Sequence, residues 1–140
     1  MVVTDAPSDA EVGVVSDALD VFNIDATGIE DRQPLAVLVK DPSGETLGGI
    51  TGRTSLGLWF VDLFYLPALL RGAGLGRRLL EQAEAEARRR GCTAGFLYTI
   101  SFQAPDFYKR LGWVEFGRIP SAPEGTSRIF LTKTLDQQGR

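Results

Sequence analysis

Arg71-Gly72-Ala73-Gly74-Leu75-Gly76 lies between the apolar run Leu58 to Leu66 and the helical pattern Leu75 to Arg90, and the fold turns on it. Three glycines at alternate positions leave no Cβ against a ligand and let successive backbone N–H groups turn to one side. A helix beginning here brings unpaired amides and the positive end of its macrodipole. Arg71, Arg77 and Arg78 add cations at that same end, where they are unfavourable unless an anion is bound. The stretch predicts a strand, a phosphate-holding loop and a helix in succession.

On the N-terminal side, Trp59, Val61, Leu63 and Tyr65 alternate with Phe60, Asp62, Phe64 and Leu66. A strand apolar on both faces is a central one. Leu35 to Val39 and Thr46 to Thr54 flank the turn Asp41-Pro42-Ser43-Gly44 and read as a hairpin. Gly48, Gly49 and Gly52 within it predict a bulge or close backbone approach. Further back, Ser8-Asp9 caps a helical stripe of Val12, Val15, Leu19 and Phe22 that Gly28 ends. Val2-Val3-Thr4 is expected to form a short edge strand.

On the C-terminal side, Leu75, Leu79, Ala83 and Ala87 share one helical face, with Glu84–Arg88 and Glu86–Arg90 as i,i+4 pairs. Arg88-Arg89-Arg90 complements the negative helix end as solvated surface, and Gly91 is the stop. Ala94 to Phe102 reads as a strand, and Pro105 to Gly112 as a short helix. Trp113 to Ile119 and Thr126 to Thr134 form two more strands, and Asp136 to Arg140 a frayed tail. A strand–helix–strand centre with antiparallel flanks means a mixed α/β sheet.

Composition bounds the chemistry. The 140 residues are 44% hydrophobic and 24% charged, and suit one domain. No apolar run approaches the roughly 18 residues that span a bilayer, and no signal-like stretch opens the chain, so the cytoplasm is expected. The lone Cys92 forms no internal disulfide and reads as a small buried residue. Histidine is absent, which removes imidazole catalysis and most zinc sites. A general acid or base must then be a carboxylate, tyrosine, lysine or water. Residues 1–62 hold 11 acids and 3 bases, residues 63–140 hold 7 acids and 12 bases. Such a split fits a basic half for an anion and an acidic half for a cation, or plain surface charge. The basic residues flank one loop and helix, which is no nucleic-acid footprint.

Two phosphate motifs fail here. A P-loop needs Lys-Ser/Thr after its last glycine, where this chain has Arg77-Arg78. A dinucleotide fingerprint needs G-x-G-x-x-G and a carboxylate about 20 positions on, and neither is present. The segment resembles instead the pyrophosphate loop of the GNAT N-acetyltransferase superfamily, Q/R-x-x-G-x-G/A, at Arg71, Gly74 and Gly76. Phe64-Tyr65-Leu66-Pro67 is similar to that family's fourth strand and Leu75 to Arg90 to its third helix. Phe107-Tyr108-Lys109-Arg110-Leu111-Gly112-Trp113 resembles its F-Y-x-x-x-G-[FYW] segment, and Leu97 to Pro105 a bacterial subgroup with an SFQAPxFY run. The resemblance covers about residues 35–134.

The resemblance implies an α/β fold: a mixed, mostly antiparallel twisted sheet of about six or seven strands, a central splayed parallel pair, and helices on both faces. It implies one domain over 1–140, comprising an acceptor-side segment (1–34), an acetyl-CoA-binding core (35–134) and a tail (135–140). It also implies acetyl-CoA as co-substrate, without a metal. Backbone of Gly72, Ala73, Gly74, Leu75 and Gly76 would hold the pyrophosphate, with charge from Arg71, Arg77 and Arg78. Phe64, Tyr65 and Leu66 would flank the pantetheine arm, and Ser101 and Tyr108 complete the cofactor contacts.

Amine attack on a thioester needs a neutral amine and a protonated leaving thiolate, with ordinary pKa values of about 10 and about 8.5. Tyr108, matching the family's tyrosine near the cofactor sulfur, is the candidate general acid, although an amphipathic core tyrosine is the bland alternative. Phe107 is expected in the core. Asp62, on the apolar central strand, is the candidate base on the expectation that it is buried. Glu30, Asp31 and a water chain remain alternatives. The acceptor is expected to be a small-molecule amine, with a protein or peptide amine, or a non-catalytic acyl-CoA sensor, as the other readings. No nucleic-acid or membrane partner is expected; related domains often dimerise, which leaves monomer and homodimer both open.

Overall fold

The structure is a computed structural model that describes residues 1–135, so the tail expected from Asp136 onward lies outside the described residues. The chain forms two compact units, Met1–Asp31 and Arg32–Arg140. The first unit holds α1 (Asp9–Thr27). Its start is a capping box: Ser8 Oγ accepts the Glu11 amide at 3.1 Å, and Glu11 Oε1 accepts the Ser8 amide at 2.9 Å. Gly28, at φ 72°, ends it by donating its N–H to Ile24 O at 2.7 Å. The edge strand expected at Val2-Val3-Thr4 does not form. A strand needs a ladder partner, and residues 2–4 pair with none of the described residues; Thr4 Oγ1 instead accepts the nearby Ala6 amide.

The second unit carries β1 (Gln33–Lys40), β2 (Thr46–Ser55), β3 (Leu58–Tyr65), α2 (Leu75–Arg89), β4 (Ala94–Ile100), α3 (Pro105–Arg110), β5 (Val114–Pro120) and β6 (Ser127–Thr134). The six strands run in the order β1-β2-β3-β4-β6-β5. Only β3 and β4 are parallel, and they pair over just Leu58–Phe60 with Ala94–Phe96. Among the described residues the rest of β3 has no partner on that side, so the central pair splays.

The glycines of β2 explain the neighbouring geometry. A Cβ at Gly52 would run into the carbonyl oxygen of Phe60 on β3, so that strand approach admits only glycine. At the same point the ladder slips: Thr51 faces Leu63 and Gly52 faces Val61, which leaves Asp62 as the extra residue of a bulge.

The core lies between the sheet and helices α2 and α3. Leu79, Ala83 and Ala87 of α2 are buried and Leu75 is half-buried, as the four-residue spacing predicts, and Leu80 beside them is buried as well. Trp59 and Trp113 meet edge-to-face at 5.7 Å, and Gly95 lies against both rings. Truncating either indole to alanine would remove about 3–5 kcal/mol. Leu135, assigned to the tail by the sequence, is only 3% exposed, and its amide bonds Thr93 O at 2.8 Å.

The expected ion pairs form, Arg88 with Glu84 at 2.6 Å and Arg90 with Glu86 at 2.8 Å. Arg90 departs from its expected role as solvated surface. Its guanidinium also donates to Pro34 O and Thr54 Oγ1, both at 3.0 Å, and so ties the helix end to β1 and β2.

Candidate active site

Where β3 and β4 part, a cleft of about 610 Å³ opens, a size suited to a small ligand or one arm of a larger one. It gathers Asp62, Phe64, Tyr65, Leu66, Arg71 and Tyr108 from the expected site residues. They come from strand, loop and helix separated by up to 46 positions in the chain, and the splay is what brings them to one opening.

The glycine loop has the form expected of an anion holder. Gly72 and Gly74 adopt φ of 86° and 83°, and Gly74 is the N-cap of α2. The first helical bond runs from Arg78 N to Gly74 O at 3.1 Å, so the amides of Gly72 to Arg77 have no acceptor among the described residues. With these conformations, backbone donors can converge on a phosphate without a Cβ in the way.

Arg71 is held rather than free to swing. Its Nε donates to Leu66 O at 2.7 Å and its guanidinium lies 5.6 Å from the centre of the Tyr65 ring. That contact fastens the loop to the end of β3 and leaves the terminal nitrogens for a ligand. Arg77 pairs with Glu81 at 3.3 Å, an exposed i,i+4 contact worth little. Arg78 makes no ion pair among the described residues, and is the freer charge at the helix start.

Tyr108 is buried at 8% exposure, with its ring edge-on to Phe64 at 6.3 Å, Phe107 at 5.2 Å and Trp113 at 6.1 Å. Tyr108 lines the cleft, and its hydroxyl bonds to nothing among the described residues. Burial penalises the phenolate and pushes the group up to about 12. Phe107 packs as expected, edge-on to Phe64 at 5.9 Å.

Asp62 is corrected in one respect. It is exposed: as the extra residue of the bulge it has no ladder partner on β2, and the core-facing side passes from Trp59 and Val61 before it to Phe64 and Leu66 after it. The burial on which its role as a base rested is therefore absent, although its carboxylate does line the cleft and pairs with no described residue. Ser101 lies at the β4–β6 end: its amide bonds Ser127 O at 2.8 Å and its hydroxyl accepts the Ser127 amide at 3.0 Å. It closes a rung of the sheet and is not among the residues lining the cleft.

Residues the sequence reading left out complete the lining. Gln103 Oε1 accepts the Ile100 amide at 2.8 Å and the Thr99 hydroxyl at 3.1 Å, stapling the end of β4. Arg128, from β6, lies over the Tyr98 ring at 5.3 Å. Gln103 sat within the quoted SFQAP run and could have been found there. Nothing local marks Arg128. Among the described residues no cluster of His, Cys, Asp and Glu could hold a metal ion. No helix among them is long and apolar enough to cross a membrane.

Residues 31–115 match the family profile for the acetyltransferase (GNAT) domain. The chain is 32% identical over 127 residues to the acetyltransferase Atu2258 of Agrobacterium fabrum, covering 90% of this chain and 93% of that one. It is 39% identical over 113 residues to the blasticidin-S acetyltransferase of Streptomyces morookaense, covering 78% and 83%. A crystal structure from Agrobacterium tumefaciens, provisionally assigned as an acetyltransferase, superposes with a TM-score of 0.86 at 29% identity, covering 96% of this chain and 98% of that one.

Proposed function

The chain belongs to the GNAT acetyltransferase family, and on that premise we propose that it moves the acetyl group of acetyl-CoA to a primary amine of a small molecule. One observation carries the reading: the unpartnered Tyr108 hydroxyl, the free Asp62 carboxylate and the Arg71-anchored loop all border the cleft at the splay. GNAT acetyltransferases use acetyl-CoA, which when bound supplies an activated acyl thioester. The small-molecule acceptor is supported by the relative named for blasticidin S.

In this reading the amides of Gly72 to Gly76 and the side chains of Arg71 and Arg78 bind the pyrophosphate. Phe64, Tyr65 and Leu66 border the pantetheine arm, along the length of β3 that lacks a β4 partner. Asp62 draws the acceptor ammonium to the mouth of the cleft, and the open water there can take its proton. Tyr108 keeps its proton at neutral pH because its group titrates at about 12. Full transfer to a thiolate of ordinary pKa near 8.5 is uphill by about 3.5 units, or about 5 kcal/mol, in the ligand-free site. Tyr108 therefore donates a hydrogen bond to the sulfur as charge develops there, while the net proton comes from the attacking amine.

The deciding experiment is release of CoA thiol from acetyl-CoA against blasticidin S, polyamines, amino acids, aminoglycosides and short peptides. Thiol release with small amines and none with peptides is the expected outcome. If acetyl-CoA raises the melting temperature yet no amine releases thiol, the chain binds the acyl donor without turning it over and the proposal fails.

A further inference from the structure

The cleft holds charge of both signs that the donor's loop does not use. Among its lining residues Asp62 is the one acid, and Arg71 and Arg128 are the two cations. Arg71 is committed to Leu66 O and the Tyr65 ring beside the glycine loop. Arg128 has no such duty. It forms no ion pair among the described residues, and its guanidinium rests on the Tyr98 ring.

Strand alternation gives Arg128 its side of the sheet. Its neighbour Ile129 and the next residue inward, Leu131, are 2% and 0% exposed and point into the core under α2. Arg128 and Phe130 therefore face the other way, as Tyr98 does between buried Leu97 and Thr99. The phosphate loop opens α2, on the core side. The cleft is lined from both sides, by Leu97 and Tyr108 on one and by Tyr98 and Arg128 on the other. A pyrophosphate at the loop and a second anion at Arg128 would thus enter from opposite faces.

A guanidinium held over an aromatic ring by its Cζ, with no ion-pair partner, keeps N–H donors for a ligand, and their fork matches a planar carboxylate. Stacking also removes part of the rotamer entropy that gripping a ligand would cost. Resting on the acetyltransferase reading above, we propose that the Tyr98–Arg128 side of the cleft is an acceptor subsite selecting amines that carry a carboxylate. Arg128 takes the carboxylate and Asp62 the ammonium, so an acceptor of amino-acid type satisfies both free charges at once. A plain amine would leave the guanidinium unmatched, and an anionic acceptor without an amine has nothing to acetylate.

The test compares matched amines with and without the carboxylate: lysine against cadaverine, arginine against agmatine, phenylalanine against phenethylamine. A charge-assisted bidentate contact predicts that kcat/KM favours the acid of at least one pair by about tenfold to hundredfold. Arg128→Gln, an exposed change checked for fold by circular dichroism, should bring that ratio close to one with KM for acetyl-CoA unaltered. A ratio near one in all wild-type pairs overturns the proposal, as does an Arg128→Gln ratio equal to wild type. A rise confined to the KM of acetyl-CoA also overturns it, by assigning Arg128 to the donor. Calorimetry of the CoA-bound protein with α-N-acetyllysine and N-acetylcadaverine needs no turnover. If no amine releases thiol but α-N-acetyllysine binds at least tenfold tighter, and loses that advantage in Arg128→Gln, the transfer reading fails and the subsite stands. Equal or absent binding of the two overturns the subsite.

Discussion

Gly74→Ala separates the fold from the ligand site more cleanly than any other single change. Gly74 sits at φ 83°, ψ 5°, and a Cβ there would meet nothing within 4 Å. The cost to the protein is therefore the left-handed backbone alone, about 1–2 kcal/mol. For a chain of this length that lowers Tm by about 3–6 °C. Gly91, at the other end of α2, supplies a matched control, since it adopts φ 85° with the same open space around its Cβ position. Its alanine variant should lose the same stability.

Ligand binding should split the pair. At a concentration one hundred times Kd, acetyl-CoA stabilises the wild type by about 2.7 kcal/mol, or about 8 °C. If the added methyl at position 74 breaks two charge-assisted bonds to the pyrophosphate, the loss is about 3 kcal/mol, or about 150-fold in Kd. The shift at the same concentration then falls to about 1 °C, while Gly91→Ala keeps the full 8 °C. Differential scanning fluorimetry across an acetyl-CoA titration measures both numbers. Equal ligand shifts in the two variants would falsify the assignment of the loop to the donor.

Tyr108→Phe should lower kcat about a hundredfold and leave the acetyl-CoA shift in place; single-turnover thiol release at wild-type speed would remove Tyr108 from the chemistry. The same residue sets an alkaline limit. Its group is raised from 10 to about 12 by burial, so its stabilising contribution is complete below pH 10 and is lost as pH climbs through 12. About 2 kcal/mol of it is gone by pH 11.5, and unfolding free energies from urea titrations at pH 9 and 11.5 should differ by that much more in wild type than in Tyr108→Phe. Asp62→Asn should raise the acceptor KM about tenfold with donor binding unchanged, and an unaltered KM would dismiss the carboxylate. Gly95→Ala should cost about 1–3 kcal/mol in chemical denaturation, because the new Cβ would lie 2.8 Å from Trp59 and 3.0 Å from Trp113.

Much of this was legible because it is local. The capping box at Ser8 and Glu11, the pairs Glu84–Arg88 and Glu86–Arg90, and the glycine loop ahead of Leu75 depend on residues within a turn or two of one another. The glycines of β2 announced close approach, and the structure bears this out at Gly52 against Phe60. Where alternation was extended through Asp62 it misled. One inserted residue reverses inside and outside along a strand, and although Gly52 marked β2 as the place of a bulge, nothing local marked Asp62 on β3 as the residue inserted. Arg90 was read by its helix alone, when its partners Pro34 and Thr54 lie 56 and 36 positions away.

By itself, then, the sequence determined the order of elements, the glycine loop at the start of α2 and the family motif around Tyr108, since backbone conformation and capping are set by neighbours along the chain. The tertiary structure decided which charges stay free. Burial of Tyr108, exposure of Asp62 and the stacking of Arg128 on Tyr98 all follow from where β3 leaves β4 and which strand fills the place beside it. Those are long-range pairings, and solvation of a side chain is a property of the partners they bring rather than of the residue that carries it.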